Sequence, residues 1–330
     1  MLDRLNTTDQ VLLDDFQRDF PLVSRPFARI AAKVGIDEDD VLARLAALKR
    51  AGAITRVGAT VRPNTAGAST LAALSVPDAR IEEVAALVGG ESGVNHSYLR
   101  EHDWNLWFVV TAPDAGELQA SLARIKASTG LDVLDLRLRR PFNIDLGFSL
   151  RGGPARPCSA GQADLSALRH TDRPILHALS QGMPLVRHPF AAMAEGLGMS
   201  ETRLIERITA LQAAHLITRM GVIVRHRAVG WSANAMVVWN LPDRDIETAG
   251  EALARVPGVT LCYQRETVPG IWPYGLFSMI HARSRTEALT VLDRARALPL
   301  LGDANHKVLF STRCFKQTGA RLRPEPDKAA

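Results

Sequence analysis

The chain repeats itself. Pro21-Leu22-Val23-Ser24-Arg25-Pro26-Phe27 returns as Pro184-Leu185-Val186-Arg187-His188-Pro189-Phe190. Ile54-Thr55-Arg56-Val57-Gly58 returns as Ile217-Thr218-Arg219-Met220-Gly221. Gly35 matches Gly198 and Gly67 matches Gly230, in one constant register. A period this long marks a duplication of whole domains rather than a short-period solenoid.

Each copy opens with three helical patterns. In the first, Thr8 is expected to cap a helix carrying Val11, Leu12, Leu13 and Phe16. A second helix starts after Pro26 and runs through Ile30 and Val34 to Gly35, a residue suited to the left-handed turn past a helix end. A third begins near Asp37, carries Val41, Leu42, Leu45 and Leu48, and ends at Gly52. Ala53 to Arg62 then alternates like a small hairpin around Gly58. This pattern predicts a winged helix-turn-helix, which invites a DNA-binding reading. The would-be reading helix, however, starts Asp37-Glu38-Asp39-Asp40. Four carboxylates suit the helix dipole but meet a phosphate backbone badly. The second copy, Ser200-Glu201-Thr202-Arg203, is mixed in charge. The winged helices therefore read as structural or dimerising modules, with no specific DNA partner expected.

After each wing the pattern becomes strand, helix, strand, strand, helix, strand. The first copy places strands near Ser69–Val76, Gly93–Leu99, Trp104–Ala112 and Leu131–Arg139, and helices near Ile81–Val88 and Ala115–Ser128. The second places strands near Asn234–Leu241, Gly258–Arg265, Tyr274–Ala282 and Lys307–Arg313, and helices near Asp245–Val256 and Arg285–Ala297. Each is a ferredoxin-like βαββαβ unit, so the fold class is α+β: a tandem repeat of winged helix-turn-helix plus ferredoxin-like domains. The boundaries read as 1–62 and 166–228 for the winged helices and 63–150 and 229–322 for the βαββαβ units. A linker spans 151–165 and a tail 323–330. Trp104-Asn105-Leu106-Trp107-Phe108-Val109-Val110 is apolar on both faces, as in a strand covered on both sides. Its own helices cover one face; the other copy's sheet, or a ligand, has to cover the second.

The chemistry-bearing stretch is Asn95-His96-Ser97-Tyr98-Leu99-Arg100-Glu101-His102-Asp103-Trp104. It reads as a hairpin with its turn at Glu101-His102-Asp103, and alternation puts Val94, His96 and Tyr98 on one face. Titratable groups beside flat rings suit a large, flat, anionic ligand. The second copy keeps Tyr263 and Arg265 but has Leu261 where the first has His96, and Gly275 where the first has Asn105. Its loop is longer, Glu266-Thr267-Val268-Pro269-Gly270-Ile271-Trp272-Pro273, and stiffened by two prolines.

Composition narrows the partners. The net charge of +5 suits nucleic acid or an acidic small molecule. Arginine dominates the basic residues, which favours bidentate recognition of carboxylate or phosphate. No apolar run is long enough for a membrane span and Met1-Leu2-Asp3-Arg4 does not begin a signal peptide, so no membrane is expected. Cys158, Cys262 and Cys314 make an odd, scattered set that fits a reducing cytoplasm.

A winged helix followed by βαββαβ, with Asn64 and Gly67 leading into the first strand, resembles the Lrp/AsnC family of ligand-sensing regulators. His96-Ser97-Tyr98, Arg100, His102 and Asn105-Leu106-Trp107-Phe108 resemble the motif of siroheme decarboxylases, a branch of that family. Arg265, Trp272-Pro273-Tyr274 and Met279-Ile280-His281 resemble the motif of the partner subunit in that branch. Phe142-Asn143-Ile144-Asp145 and Phe315-Lys316-Gln317 resemble the two subunits' closing segments. The resemblance implies loss of carbon dioxide from two acetate side chains of siroheme, giving 12,18-didecarboxysiroheme in haem d1 biosynthesis. Siroheme is then the substrate and carries its own iron, so no separate cofactor is expected. The two copies pair within one chain. Other proteins of haem d1 biosynthesis and a homodimer stand as candidate partners.

The same resemblance assigns roles. His96 and His102 are the candidate catalytic residues, with His96 a candidate axial ligand to the substrate iron. Tyr98, Arg100, Trp104, Trp107, Tyr263, Arg265, Trp272, Tyr274 and His281 are the candidate substrate-binding residues. Each has a plainer reading. His96 can be a histidine bonded between sheets and His102 an exposed loop residue. Arg100 and Arg265 can pair on the surface with Glu101 and Glu266. The tryptophans can be core, His281 can cap its strand, and His188, which replaces Arg25 of the first copy, can lie on a helix surface. Two other functions stay open, a regulator that senses a tetrapyrrole or amino acid and a haem-binding chaperone.

Overall fold

The structure, a computed structural model, describes residues 5–144 and 163–319. Asp145, Cys158, most of the expected linker and the expected tail lie outside them. The first copy comprises α1 (Thr7–Asp15), α2 (Pro26–Val34), α3 (Glu38–Arg50), β1 (Ile54–Val61), β2 (Ala68–Leu74), α4 (Ile81–Gly90), β3 (Val94–Arg100), β4 (Leu106–Ala112), α5 (Ala115–Thr129) and β5 (Leu134–Asn143). The second comprises α6 (Arg173–Gln181), α7 (Pro189–Gly196), α8 (Glu201–Ala213), β6 (Ile217–Val224), β7 (Ala233–Asn240), α9 (Asp243–Ala254), β8 (Val259–Arg265), β9 (Leu276–Ala282), α10 (Arg285–Arg296) and β10 (Asn305–Gln317). Compactness divides the chain across the copies. One unit pools the helix-turn-helix parts up to Ala66 and on to Gly230, and the other pools the βαββαβ parts from Gly67 and from Trp231.

In the helix-turn-helix unit, the apolar spacing read from the sequence forms the core: Leu12, Leu13, Val41, Leu45 and Leu48 are buried. Gly35 takes the left-handed conformation after α2, at φ 78°, and its N–H closes on Ala31 O. The cap of α1 differs from expectation. Asn6, not Thr8, accepts a hydrogen bond from the Asp9 N–H at 2.8 Å and leaves Thr8 inside the helix. An Asp9–Arg44 pair ties α1 to α3 and recurs as Asp172–Arg207, where Asp172 is only 1% exposed.

The expected hairpin around Gly58 does not form. β1 runs straight through Gly58 and pairs antiparallel with β6, with Gly58 opposite Gly221. The two wings are thus one ribbon shared by the copies. A Cβ on Gly58 would meet Leu179 O at 2.4 Å, and one on Gly221 would meet Phe16 O at 2.3 Å. The glycines are there to let the end of α6 and the end of α1 press onto the ribbon, rather than to turn it. Met183 N–H donates to Val57 O and Val222 N–H to Phe16 O, so the contacts are reciprocal.

Polar contacts join the same copies at the third helices. Arg187 grips Asp39 in the first turn of α3 with bonds of 3.2 and 2.7 Å. Ser24 Oγ donates to Glu201 in the first turn of α8 at 2.9 Å, and lies 3.1 Å from Nδ1 of the exposed His188. Arg25 pairs with Glu38. The exposed contacts between the copies, Arg187 with Asp39 and Ser24 with Glu201, contribute little each, so they fix the mutual placement more than the stability.

In the second unit the strands close into a barrel of order β10-β3-β4-β2-β5-β8-β9-β7. Each copy supplies a four-stranded sheet with the order expected of its βαββαβ unit. The edges join at two seams, β3 with β10 and β8 with β5. Closure explains why β5 and β10 run past their expected ends: their last residues pair with the other copy. It also answers the doubly apolar β4. Leu106, Phe108 and Val110 pack on α4 and α5, while Trp107 packs inside the barrel with Leu134, Leu136, Met236, Val238, Trp272, Phe277 and Leu309. The seams carry matching ion pairs, Arg140 with Glu247 and Arg313 with Glu82. Among the described residues no helix is long and apolar enough to cross a membrane.

The ribbon yields a test. Gly58→Val or Gly221→Val should lower stability by at least ~1–3 kcal/mol, the cost of overpacking, read as a shift in the urea midpoint. Gly196→Ala, where a Cβ meets nothing within 4 Å, should not lower it.

Candidate active site

Strand alternation places Val94, His96 and Tyr98 together, and the structure corrects this. Val94 pairs with Val110 but His96 pairs with Val109, so Asn95 is an extra residue. This β-bulge sends Val94 to the helix-side core and turns His96 and Tyr98 into the barrel. Asn95 is held by its side chain, whose Nδ2 donates to Thr111 Oγ1 at 3.0 Å. The second copy bulges at the same place, between Val259 and Leu261. There Thr260 Oγ1 lies 2.6 Å from Nδ1 of His281, which is 5% exposed. His281 is therefore a buried group inside β9 rather than an exposed strand cap.

The arginines follow the same symmetry. Arg100 is buried, donates to Leu309 O at 3.1 Å and lies over the Tyr98 ring at 5.6 Å. Arg265 donates to Leu136 O at 2.9 Å and lies over the Tyr263 ring at 5.1 Å. Each reaches the last strand of the other copy. Glu101, the surface partner expected for Arg100, is gripped by Arg285 at 2.8 Å through both oxygens. Arg139 stands beside Glu266. Arg265 Nε finds no acceptor among the described residues. Desolvation, more than any neighbouring charge, pulls this guanidinium down to about 10, and burial pushes the Tyr263 phenol up. A desolvated cation against aromatic rings is a seat for a carboxylate.

The two hairpin ends meet at Trp272. Pro269 and Gly270 make a tight turn, with Gly270 at φ 74° and the Ile271 N–H returning to Val268 O. Val268 and Trp272 bond to each other across it, which aims the indole inward. Trp272 contacts Trp107 at 5.2 Å, Tyr274 at 5.1 Å and His102 at 5.5 Å, ring centre to ring centre. Trp107 and Trp272 are fully buried and belong to the barrel core; Trp104 is half-buried, and its carbonyl accepts the Trp107 indole N–H at 2.6 Å.

The candidate catalytic histidines are not neighbours along the strand. His96 is half-buried and stacks near Tyr98, with Nδ1 3.4 Å from the phenol oxygen. His102 lies beyond Arg100, so ~13 Å or more of extended chain separates it from His96. Its Nδ1 accepts the Trp104 N–H at 3.0 Å, which assigns its proton to Nε2. Burial holds its imidazole below the usual 6.5, with Lys307 adding to the shift and Asp103 opposing it. The sequence reading passed over Ser311, took Cys314 only as one of three scattered cysteines, and took Gln317 only as part of a closing segment. β10 sets these three opposite Arg100, Tyr98 and His96. The only sequence signal was the continuation of that strand past Arg313.

A tandem of helix-turn-helix and ligand-type domains, closed edge to edge around a buried and a half-buried arginine, defines the class. Residues 66–142 and 228–316 match the model of the AsnC-like ligand binding domain. Residues 9–54 and 172–217 match that of the siroheme decarboxylase NirDL-like HTH domain. The chain belongs to the siroheme decarboxylase NirDL family. It is 59% identical to a siroheme decarboxylase NirDL subunit of Paracoccus denitrificans, over 96% of this chain and 98% of that one. A siroheme decarboxylase NirD subunit of Stutzerimonas stutzeri is 48% identical over 44% of this chain and 94% of its own length. The crystal structure of the siroheme decarboxylase NirDL in complex with an iron-uroporphyrin III analogue aligns with a TM-score of 0.66 at 30% identity, covering 96% of this chain and 94% of that one.

His102 links the site to pH. Above about 6.5 it is neutral both folded and unfolded, and its burial is fully tolerated. As pH falls through that value, the unfolded chain takes up the proton first, and stability declines until the folded value is passed. His102→Gln should flatten this part of the stability curve, followed as urea midpoints at a series of pH values below 7.

Proposed function

We propose that this chain is a siroheme decarboxylase that removes carbon dioxide from two acetate side chains to give 12,18-didecarboxysiroheme. The observation that carries the reading is the pair of arginines at matching places in the two seams, each laid over a tyrosine ring and bonded to the last strand of the other copy. Siroheme is a flat macrocycle rimmed with carboxylates. Arg100 and Arg265 hold those that are kept, and Tyr98 and Tyr263 stand against the ring beside them. His102, Trp104, Trp107, Trp272 and Tyr274 shape the wall where the two hairpin ends meet. The substrate iron comes with the substrate.

Each reactive event breaks the bond between an acetate methylene and its carboxylate. The electron pair stays on the methylene carbon, takes a proton and leaves a methyl group, so one proton is consumed for each carbon dioxide released. His96 is the donor we assign, because it is turned into the barrel and imidazole exchanges protons near neutral pH. His102, with Nδ1 fixed by the Trp104 N–H and its ring against Trp272, braces the hairpin turn. His281 lies buried at the far end of β9 as a further polar contact. The helix-turn-helix unit serves as a pairing module. The first turns of α3 and α8 are held by the other copy's Arg187 and Ser24, and α3 opens with carboxylates.

Anaerobic incubation with siroheme followed by mass spectrometry should show two successive losses of carbon dioxide. No mass change over wild-type incubation times would refute the reading. Arg265→Leu should weaken siroheme binding by roughly 1.5–3 kcal/mol, the worth of a charge-assisted hydrogen bond, in a spectral titration. A gel shift at physiological salt should show no discrete operator complex; a sharp, sequence-dependent one would return the regulator reading to the front.

A further inference from the structure

The two seams are alike in backbone and unlike in chemistry. Both join an arginine-bearing strand to the closing strand of the other copy, and both carry two bulges in that closing strand. The bulges make every third residue of the closing strand face the barrel. In the first seam Ser311, Cys314 and Gln317 thereby stand opposite Arg100, Tyr98 and His96. In the second seam Leu138 and Pro141 stand opposite Arg265 and Tyr263. The position matching His96 is Leu261, paired with Met279. So one seam presents imidazole, amide, thiol and hydroxyl groups, and the other, among the described residues, presents leucines and a proline around the same arginine and tyrosine.

An apolar side chain neither donates a proton nor solvates a carbanion. The histidine nearest the second seam, His281, is two residues past Met279 and its Nδ1 is engaged by Thr260. The substrate, on the reading given above, has two acetates to lose, and the fold offers two seams related by the duplication. The obvious division is one acetate to each.

We propose instead that both decarboxylations take place at the β3–β10 seam, and that the β8–β5 seam only holds a retained carboxylate through Arg265. The macrocycle has to turn between the two steps to bring its second acetate to His96. At each step the same balance applies: the bond from methylene to carboxylate breaks, carbon dioxide leaves, and the methylene carbon takes one proton.

The inference rests on the siroheme reading, and the experiment separates the two. His96→Gln and His281→Gln are incubated with siroheme under anaerobic conditions in excess over substrate, with time points resolved by mass spectrometry. They are also given the monodecarboxylated tetrapyrrole collected from partial wild-type turnover. His96→Gln should slow both steps by a similar factor, on the order of 10²–10⁴, and should fail on the monodecarboxylated tetrapyrrole as well. Spectral titration confirms that the variant still binds siroheme. If His96→Gln makes the monodecarboxylated product at the wild-type rate and stops, or converts that product onward, the one-seam inference is overturned while the decarboxylase reading stands. Loss of a single step in His281→Gln overturns it in the same way. Wild-type protein that releases no carbon dioxide removes the decarboxylase reading and this inference with it.

Discussion

Unpaired sheet edges govern this molecule. A four-stranded βαββαβ sheet has two edges whose N–H and C=O groups need partners, and one face that its helices leave bare. Here both needs are met at once. The edges of one copy bond to the edges of the other, and the bare faces become the inside of a closed barrel. Everything chemical is placed by that closure. Arg100 and Arg265 sit inside because the strands that carry them are edge strands, and each finds its carbonyl on the other copy's last strand. Neither arginine would be desolvated in a lone copy.

Bulges then decide which side chains the closure uses. A strand with strict alternation would have put His96 among the helix-side residues with Phe108 and Val110. One extra residue at Asn95 reverses that, and the Asn95–Thr111 hydrogen bond steadies the irregularity. The bulges in β5 and β10 work in the same way and select Gln317 and Cys314 on one side, Pro141 on the other. The duplication thus supplies the same geometry twice, and small sequence differences at selected positions give the first seam an imidazole, an amide and a thiol where the second, among the described residues, has leucines and a proline.

Much of this was legible in the residues alone, and the losses have particular causes. The helices and strands follow from apolar spacing, which survives in any context. The tandem class follows from the matching segments. What alternation could not show was the bulge at Asn95, because one inserted residue leaves the local pattern of side chains unchanged. Gly58 was read as a turn because glycine most often serves that purpose. The second reason for glycine, close approach of another backbone, appears only when Leu179 and Phe16 are in place. Asn6 took the cap from Thr8 because the side chain one residue before the helix reaches the free N–H. Ser311 and Cys314 were invisible as site residues because their importance comes from pairing with a strand more than two hundred residues away.

The presence of both copies on one chain has a consequence for how the protein tolerates change. Two separate subunits meet at a rate set by their concentrations, while tethered copies meet at an effective concentration fixed by the tether. Dilution cannot part them, and neither copy has to remain able to pair with a twin of itself. Substitutions such as leucine at position 261 or proline at position 141 need to suit only one neighbour. Fusion therefore converts a symmetric assembly problem into two independent ones, and frees half of the molecule to become a scaffold for the other.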